Sequence, residues 1–346
     1  MNRLALLVPA PFAAVTGGYG YDRAIVAGLR AAGHEVQVIE LPGRHPLADA
    51  AAEAGARAAW DALTPDAVPV IDGLGLPAFA PLADRLGSRR VLGLVHHPTA
   101  LEPDFDEATR TVLRATERAV FARLARIIVT SPSTAERLAA EFSVPRERIS
   151  VVVPGTAAAP RSTGSGGPGC AILSVGVITP RKGHDVLLRA LAKLPDLDWT
   201  LTIAGGERDA VHARMLHGLA DELGIAARVR FAGELAADAL EAEWQRADLF
   251  ALATRFEGYG MAIAEALKRG VPVAVTDGGA AGALLSPQTG VVAAVGDDAA
   301  LSRALRRLIF DAGLRAQMRT AAWQAGGALP EWPAQAAAFA DAIGGE

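Results

Sequence analysis

Two glutamates stand eight positions apart in the segment RFEGYGMAIAEALKRGVPV, residues 255–273. Glu257 lies in a glycine-rich turn, and Glu265 lies in an apolar-periodic stretch that predicts a short helix. Carboxylates accept paired hydrogen bonds from vicinal hydroxyls, such as those of a ribose or a hexose. Gly258 and Gly260 would let the backbone amides of the turn approach an anion. An acid that stabilises a helix N-terminus would not explain Glu257. The segment therefore predicts a ligand-binding turn.

Two adjacent cations, Arg181 and Lys182, follow the apolar run AILSVG (171–176) and precede Gly183 and a predicted helix that begins near His184. Arginine offers a planar fork of donors and lysine a compact charge. Free N–H groups at a helix start also favour anions. A solvated surface pair is the alternative interpretation. The position at the carboxyl end of a predicted strand favours a diphosphate site.

A third loop, PAPFAAVTGGYGYD (residues 9–22), joins the first predicted strand to the first predicted helix. Gly17 and Gly18 would allow close approach of a ligand at the helix N-terminus. The loop is not a dinucleotide fingerprint, because Arg23 occupies the position of its last glycine. A NAD-dependent oxidoreductase is therefore disfavoured. Ligand binding and a plain flexible turn both remain possible for this loop.

Two histidines, His96 and His97, end the predicted strand VLGLV (91–95). Neighbouring residues of an extended strand point to opposite faces, so we expect at most one of them to face a ligand. A core imidazole bonded to the backbone is the alternative. We predict no metal site, because the sequence has neither a His-x3-His spacing nor a cysteine partner for these histidines.

These loops belong to an alternation of short apolar runs and amphipathic stretches, which predicts parallel strands covered by helices. In the first half the predicted strands are 4–9, 35–41, 91–95, 127–130 and 149–153, with a helix over 20–33. A segment rich in proline, glycine and serine over 154–169 predicts a linker. The alternation then restarts, which predicts a second α/β half. Residues 329–343 predict a last helix that need not belong to the half it follows.

Composition narrows the function classes. The net charge of −4 gives no basic footprint for nucleic acid, and one cysteine cannot form an internal disulfide. The start, MNRLALLVPAPF, does not read as a signal peptide, and no stretch approaches the roughly 18 apolar residues of a membrane span. We therefore expect a cytoplasmic enzyme. Arg110, Arg114 and Arg118 form a helical stripe that predicts either peripheral contact with anionic lipid or a solvated face paired with Glu107 and Glu117.

Taken together, the quoted motifs resemble the retaining glycosyltransferases of family four, which have the GT-B fold. FEGYGMAIAEALKRGVPVAVTDGG resembles that family's E-x7-E element, with Glu257 and Glu265 at its spacing. SVGVITPRKGHDVLLRAL resembles its phosphate-binding element, and GGYGYDRAIVAGLRAAGHEV resembles its glycine-rich first loop and helix. The likeness covers nearly the whole chain. It implies two Rossmann-like doubly wound domains that face each other across a cleft.

The resemblance also implies domain limits: an acceptor-side domain over 1–158, a linker over 159–169, a nucleotide-sugar-binding domain over 170–328, and a C-terminal helix over 329–346 that crosses back. It implies that Arg181 and Lys182 hold the donor diphosphate and that Glu265 binds the ribose. Glu257 would meet the donor sugar, and His96 would contact that sugar in catalysis. The remaining implied donor contacts are Gly17, Gly18, Gly258, Tyr259, Gly260 and Met261. Tyr21 and His97 are the implied acceptor contacts.

The implied reaction is retaining transfer of a hexose from a UDP- or GDP-linked donor to an unidentified acceptor. It needs no cofactor and no metal, since Arg181 and Lys182 would supply the positive charge. Two departures concern the sugar pocket: alanine or isoleucine (Ala262 or Ile263) replaces a usual proline, and no proline–glutamate pair follows Gly278–Gly279. A nucleotide-sugar 2-epimerase, a phosphorylase and a non-catalytic nucleotide-sugar-binding protein are the competing interpretations.

Overall fold

The computed structural model describes residues 3–344, and the chain divides into two compact units. The first unit runs to Gly155 and resumes at Pro330, and the second spans Thr156–Leu329. Within residues 3–344, no helix combines the length and the apolar character that a bilayer crossing requires.

The first unit contains one parallel sheet with the strand order β2-β1-β3-β4-β5-β6. Its strands are β1 (Arg3–Pro9), β2 (Glu35–Leu41), β3 (Ala67–Asp72), β4 (Leu92–Val95), β5 (Arg126–Val129) and β6 (Ile149–Val151). Its helices are α1 (Gly17–Ala31), α2 (Ala50–Asp61), α3 (Ala83–Leu86), α4 (Glu107–Phe121), α5 (Pro132–Phe142) and α12 (Trp332–Gly344). Every residue of β4 is buried, as expected for a strand covered on both faces.

The first helix begins three residues earlier than the sequence predicts. The Thr16 side chain accepts a hydrogen bond from the Tyr19 N–H and so caps the helix at Gly17. The glycine-rich segment therefore forms the first turn of α1 instead of a separate loop. Gly17 is exposed there and Gly18 is half-buried.

The last helix, α12, packs on α1 and belongs to the first unit. The rings of Tyr21 and Trp332 meet edge to face, with centroids 5.7 Å apart. Gly28 allows the two helices to approach closely, because a Cβ at this position would lie 2.4 Å from the Cβ of Ala336.

The second unit contains a parallel sheet with the order β12-β11-β10-β7-β8-β9. Its strands are β7 (Cys170–Val175), β8 (Trp199–Ala204), β9 (Val229–Gly233), β10 (Leu249–Leu252), β11 (Val273–Thr276) and β12 (Gly290–Ala293). Its helices are α6 (His184–Ala192), α7 (Ala210–Glu222), α8 (Ala237–Arg246), α9 (Met261–Lys268), α10 (Asp298–Phe310) and α11 (Ala312–Gly327). Both predicted α/β halves are confirmed, each as a parallel six-stranded sheet with helices.

The predicted linker, residues 159–169, contains no helix or strand and lies in the second unit. Its hydroxyl groups bond to that unit. Ser162 donates to the carbonyl of Ala247 at 3.0 Å, and Ser165 donates to the carboxylate of Asp248 at 2.6 Å. These bonds fix the segment against the start of β10. The domain limits at 158, 170 and 328 stay a prediction.

Candidate functional site

Three predicted site residues meet in the second unit. The ammonium of Lys182 donates to Oε1 of Glu257 at 2.6 Å, and Nη1 of Arg181 lies 3.6 Å from the same oxygen. The hydroxyl of Thr254 donates to that oxygen as well, at 3.1 Å. The side chains of Lys182 and Glu257 are only 11% and 10% exposed, so this ion pair is largely shielded from water.

The pair keeps Glu257 ionised. Burial by itself raises the pKa of the Glu257 carboxyl, but the charges of Lys182 and Arg181 more than offset burial and leave that pKa below its usual value. The cluster therefore carries two cations and one anion, with a net positive charge at the carboxyl ends of β7 and β10.

The loop that carries the two cations is held by its backbone. Gly183 adopts φ +66°, and a Cβ there would lie 1.9 Å from the carbonyl oxygen of Ala253, so glycine is required. Nη2 of Arg255 donates to both carboxylate oxygens of Asp185, at 2.9 and 3.1 Å, and the Arg255 N–H donates to the Arg181 carbonyl. Arg255 thus ties the loop after β10 to the loop after β7.

The glycine-rich turn leaves backbone donors unused. Within residues 3–344, the N–H groups of residues 258–261 donate to no protein acceptor. Gly260 adopts φ +99° and caps α9 without a side chain, which leaves the helix start open. Four consecutive free donors beside two cations are well suited to an anion or to sugar oxygens.

Gly278 and Gly279 have a backbone role in this turn. A Cβ at Gly279, which has φ +68°, would lie 2.3 Å from the carbonyl oxygen of Glu257. The Glu257 N–H donates to the Gly278 carbonyl at 3.0 Å. These glycines allow the chain after β11 to support the turn that carries Glu257.

Glu265 lies half-buried on α9. Its carboxylate forms no hydrogen bond within residues 3–344, although its backbone carbonyl accepts one from Arg269. Burial raises the pKa of Glu265, partly offset by Arg269. An unpaired carboxylate in this setting remains available to a ligand. The structure therefore brings Arg181, Lys182 and Glu257 together and places Glu265 separately on the following helix.

A second cluster lies in the first unit around His96. Its Nε2 is 3.0 Å from Oδ1 of Asp22 on α1 and 3.8 Å from Oδ2 of Asp72 at the end of β3. Gly18 lies against the ring, since a Cβ there would be 3.3 Å from Cδ2 of His96. One ligand atom from each of His96, Asp22 and Asp72 lies within 4.8 Å of the others, so the group has the spacing of a cation site.

The two histidines follow the end of β4 and make different contacts. His97 turns away from the cluster and its Nε2 lies 2.5 Å from Oε1 of Glu102. Tyr21 does not fit its predicted acceptor role, because it is wholly buried and its hydroxyl donates to the Val152 carbonyl at 3.0 Å. Its ring instead meets His96 edge to face.

The arginine stripe of α4 makes contacts inside its own unit. Arg110 bonds to Glu107, Arg114 bonds to the carboxylate of Glu141, and Arg118 donates to the Glu141 carbonyl. Glu117 does not pair with the stripe. It is buried and accepts hydrogen bonds from the N–H and hydroxyl of Thr99, so it fixes the turn after His97.

Sequence reasoning missed Asp22, Asp72 and Arg255. Asp22 lies inside the predicted first helix, where a charged residue normally indicates a solvated face. Asp72 ends a strand that the sequence analysis did not identify. Its position at the carboxyl end of a strand could have indicated a functional role, because ligands of parallel α/β sheets bind beyond the carboxyl ends of the strands.

Two family models together match most of the chain. Residues 159–324 match the model described as Glycosyl transferases group 1. Residues 13–155 match the model described as Glycosyl transferase 4-like domain.

Curated relatives match over part of their length. A D-inositol 3-phosphate glycosyltransferase from Salinispora tropica is 33% identical over 227 residues, which cover 58% of this chain and 47% of that protein. One from Acidothermus cellulolyticus is 30% identical over 246 residues, covering 66% of this chain and 54% of that protein. The chain therefore spans about half the length of these relatives.

Solved structures match over the whole chain. Sucrose-phosphate synthase from Thermosynechococcus elongatus has a TM-score of 0.83 at 19% identity, and covers 99% of this chain and 98% of its own. Anabaena HepE in complex with UDP and glucose has a TM-score of 0.78 at 17% identity, with both chains fully covered. These likenesses concern the fold, and they confirm the predicted GT-B class.

Proposed function

Because the chain belongs to the glycosyl transferases group 1 family, we propose that it transfers a sugar from a nucleoside-diphosphate sugar to an acceptor. The observation that carries this proposal is the cluster of Arg181, Lys182 and Glu257 beside the free backbone donors of residues 258–261. That arrangement offers positive charge to a diphosphate and an ionised carboxylate to sugar hydroxyls.

Arg181 and Lys182 are the proposed diphosphate ligands. An ammonium has three N–H donors, and Lys182 uses one of them for Glu257. Arg181 donates from Nη1 to the Phe256 carbonyl, and its guanidinium retains further donors. Both cations are thus held in place and keep further N–H donors for a ligand. Preorganised charge of this kind stabilises a leaving diphosphate as the sugar–phosphate bond breaks.

The two glutamates are the proposed hydroxyl ligands. Oε2 of Glu257 accepts no hydrogen bond within residues 3–344, so it is free for a donor-sugar hydroxyl while Oε1 holds Lys182. Glu265 is proposed to bind the ribose with its unpaired carboxylate. Gly258, Tyr259, Gly260 and Met261 would contribute backbone donors. A role of Gly17 and Gly18 in donor binding stays a prediction.

The finer chemistry extends the proposal. We propose that the donor is a UDP- or GDP-linked hexose, that transfer retains the anomeric configuration, and that neither a cofactor nor a metal takes part. Proton NMR of the initial product should show the donor's anomeric configuration, and EDTA should leave turnover unchanged. An inverted product or loss of turnover restored by a divalent cation would contradict these two points.

The acceptor is proposed to bind to the first unit, near His97. D-inositol 3-phosphate is the first acceptor to test, since the relatives from Salinispora and Acidothermus carry that name. Peripheral contact of α4 with anionic lipid and a cytoplasmic location also stay predictions. Salt-sensitive binding to phosphatidylserine vesicles, lost in an Arg110/Arg114/Arg118→Gln variant, would support the lipid contact.

Isothermal titration with UDP and with GDP tests the binding part of the proposal. We expect one of them to bind, and we expect Glu265→Gln to weaken that binding about tenfold, the equivalent of one charge-assisted hydrogen bond. Glu222→Gln, at the exposed end of α7, is the matched control and should bind as the wild type does. Equal nucleotide binding by all three proteins would show that Glu265 does not bind the nucleotide. If neither UDP nor GDP binds, the proposed function is contradicted.

A further inference from the structure

The two aspartates beside His96 carry negative charge that their hydrogen bonds only partly compensate. Asp22 and Asp72 are 0% and 1% exposed, and one carboxylate oxygen of each, Oδ2, has no hydrogen-bond partner. Oδ1 of Asp72 accepts from the Leu74 N–H at 2.9 Å. Two buried carboxylates without a full set of donors are unfavourable unless a positive charge or a proton compensates them.

The group that faces both carboxylates is the imidazole of His96. The remaining polar groups near the ring are already engaged: the Tyr21 hydroxyl bonds to the Val152 carbonyl, and the hydroxyls of Thr130 and Thr134 donate to the His96 carbonyl. Within residues 3–344, no lysine or arginine forms an ion pair with Asp22 or Asp72. The ring is therefore the group that can supply the missing positive charge.

The same three side chains could hold a divalent cation. Two features indicate instead that a proton on His96 compensates the charge of the aspartates. Nε2 of His96 already forms a direct contact of hydrogen-bond length with Oδ1 of Asp22. A histidine that ligates a metal normally donates its second ring nitrogen to a carboxylate or carbonyl. Nδ1 of His96 has no such partner within residues 3–344, and the side chain is 19% exposed.

We propose that Asp22 and Asp72 are positioning residues that hold His96 as an imidazolium at neutral pH, with Nε2–H donated to Asp22 and Nδ1–H presented to ligand. His96 would then act as a charged hydrogen-bond donor toward an oxygen or oxyanion of a bound substrate, and would not act as a general base. The role toward substrate rests on the proposed function, whereas the protonation state does not.

The electrostatics agree with this geometry. Burial lowers the pKa of His96, but the carboxylates of Asp22 and Asp72 outweigh burial and leave that pKa raised. Burial and the charge of Asp22 raise the pKa of Asp72, whereas the charge of the His96 imidazolium lowers it. The raised pKa of His96 stabilises the folded protein below the unfolded pKa, and this stabilisation is lost as pH rises through the folded value. Turnover that depends on the imidazolium should fall over the same alkaline range.

Histidine-labelled protein and carbon–proton NMR test the proposal without turnover. The chain has seven histidines, and the ring signal that disappears in His96→Gln identifies His96. In the wild type we expect that signal to keep its imidazolium position through pH 7. Asp22→Asn should move its titration to lower pH, and Asp72→Asn should move it in the same direction. The exposed Asp84, changed to Asn, is the matched control and should leave the titration unchanged.

Two results would overturn the proposal. One is a wild-type His96 that titrates at the ordinary histidine pKa of about 6.5. The other is a rise in melting temperature with Zn²⁺ or Mn²⁺ that Asp72→Asn abolishes, because the cluster would then be a metal site. A preserved imidazolium signal in a protein that releases no nucleotide would contradict the proposed function and support the protonation state assigned here.

Discussion

The ion pair of Lys182 and Glu257 shows how one contact serves both the fold and the site. The carboxylate holds the ammonium at 2.6 Å in a nearly dry environment, so neither side chain has to be ordered when a ligand arrives. The same burial makes each charge dependent on the other, because an uncompensated buried charge is strongly unfavourable. Mutation of the pair should therefore affect stability as well as turnover.

Lys182→Met should lower the free energy of unfolding by about 3 kcal/mol at pH 7, the usual effect of removing one partner of a buried ion pair. Adding Glu257→Gln to this variant should recover most of the loss, because the buried anion that lost its nearest cation is removed. Urea unfolding of the wild type, both single variants and the double variant measures the coupling. Additive effects of the two mutations would show that the pair is not coupled.

The pH dependence of the free energy of unfolding provides a further check on this pair. In the wild type the lowered pKa of Glu257 gives stability that is present above its unfolded value of 4.5 and is lost as pH falls through the lower folded value. In Lys182→Met the carboxyl keeps Arg181 and Thr254 but loses its nearest cation, so its pKa should be higher than in the wild type. Unfolding followed from pH 5 downward should therefore lose less of this stability in Lys182→Met than in the wild type.

At the scale of elements, the turn before α9 depends on backbone geometry that other residues rarely adopt. Gly260→Ala should cost about 1–2 kcal/mol, because a φ of +99° is strained for alanine and its Cβ would lie 2.9 Å from Cδ1 of Ile263. The substitution should also weaken nucleotide binding by shifting the free N–H groups. Titration calorimetry and urea unfolding measure the two effects.

Gly218→Ala is the matched control for that substitution. Gly218 lies within α7, and nothing lies within 4 Å of a Cβ placed there. Alanine should stabilise the helix by up to about 1 kcal/mol and leave nucleotide binding unchanged. A Gly260→Ala variant that behaves like Gly218→Ala would contradict the geometry described for the turn.

The sequence predicted the elements whose composition matches a buried strand or an amphipathic helix, such as β4 and α6. It did not identify β3, because Pro69 removes a backbone donor in the middle of a central strand, where proline is rarely found. It placed the start of α1 too late because the glycines suggested a loop, although Thr16 supplies the cap. The first residue of a helix can depend on a single capping hydrogen bond, and the hydrophobic periodicity of a sequence does not show that bond.

The candidate site was predictable to a similar degree. Loop position and residue type identified Arg181, Lys182, Glu257 and His96. The contact between Lys182 and Glu257 joins residues 75 positions apart, and the contact between His96 and Asp22 joins residues 74 positions apart. Such contacts depend on strand order, and the sequence pattern does not determine strand order. The buried carboxylates beside His96 were therefore not foreseen.

At the scale of the whole molecule, the chain returns to its first unit at the end. Gly28→Val should loosen α12 from α1, because even a Cβ at this position would lie 2.4 Å from the Cβ of Ala336. We expect a loss of about 1–3 kcal/mol in the free energy of unfolding, as for other overpacked contacts. Gly327→Val, at the end of α11 with no atom within 4 Å of its added Cβ, is the control. An equal effect of both variants would contradict the packing of α12.

The central claim is that the chain moves a sugar from a nucleoside diphosphate, and its most direct test is the release of that diphosphate. The wild type should be mixed with a panel of UDP- and GDP-linked hexoses, with and without acceptors that include D-inositol 3-phosphate. We expect release with at least one donor, acceleration by an acceptor, and a rate at least tenfold lower in Lys182→Met. Tight binding of a donor with no release under any condition, or release that Lys182→Met leaves unchanged, would contradict the account.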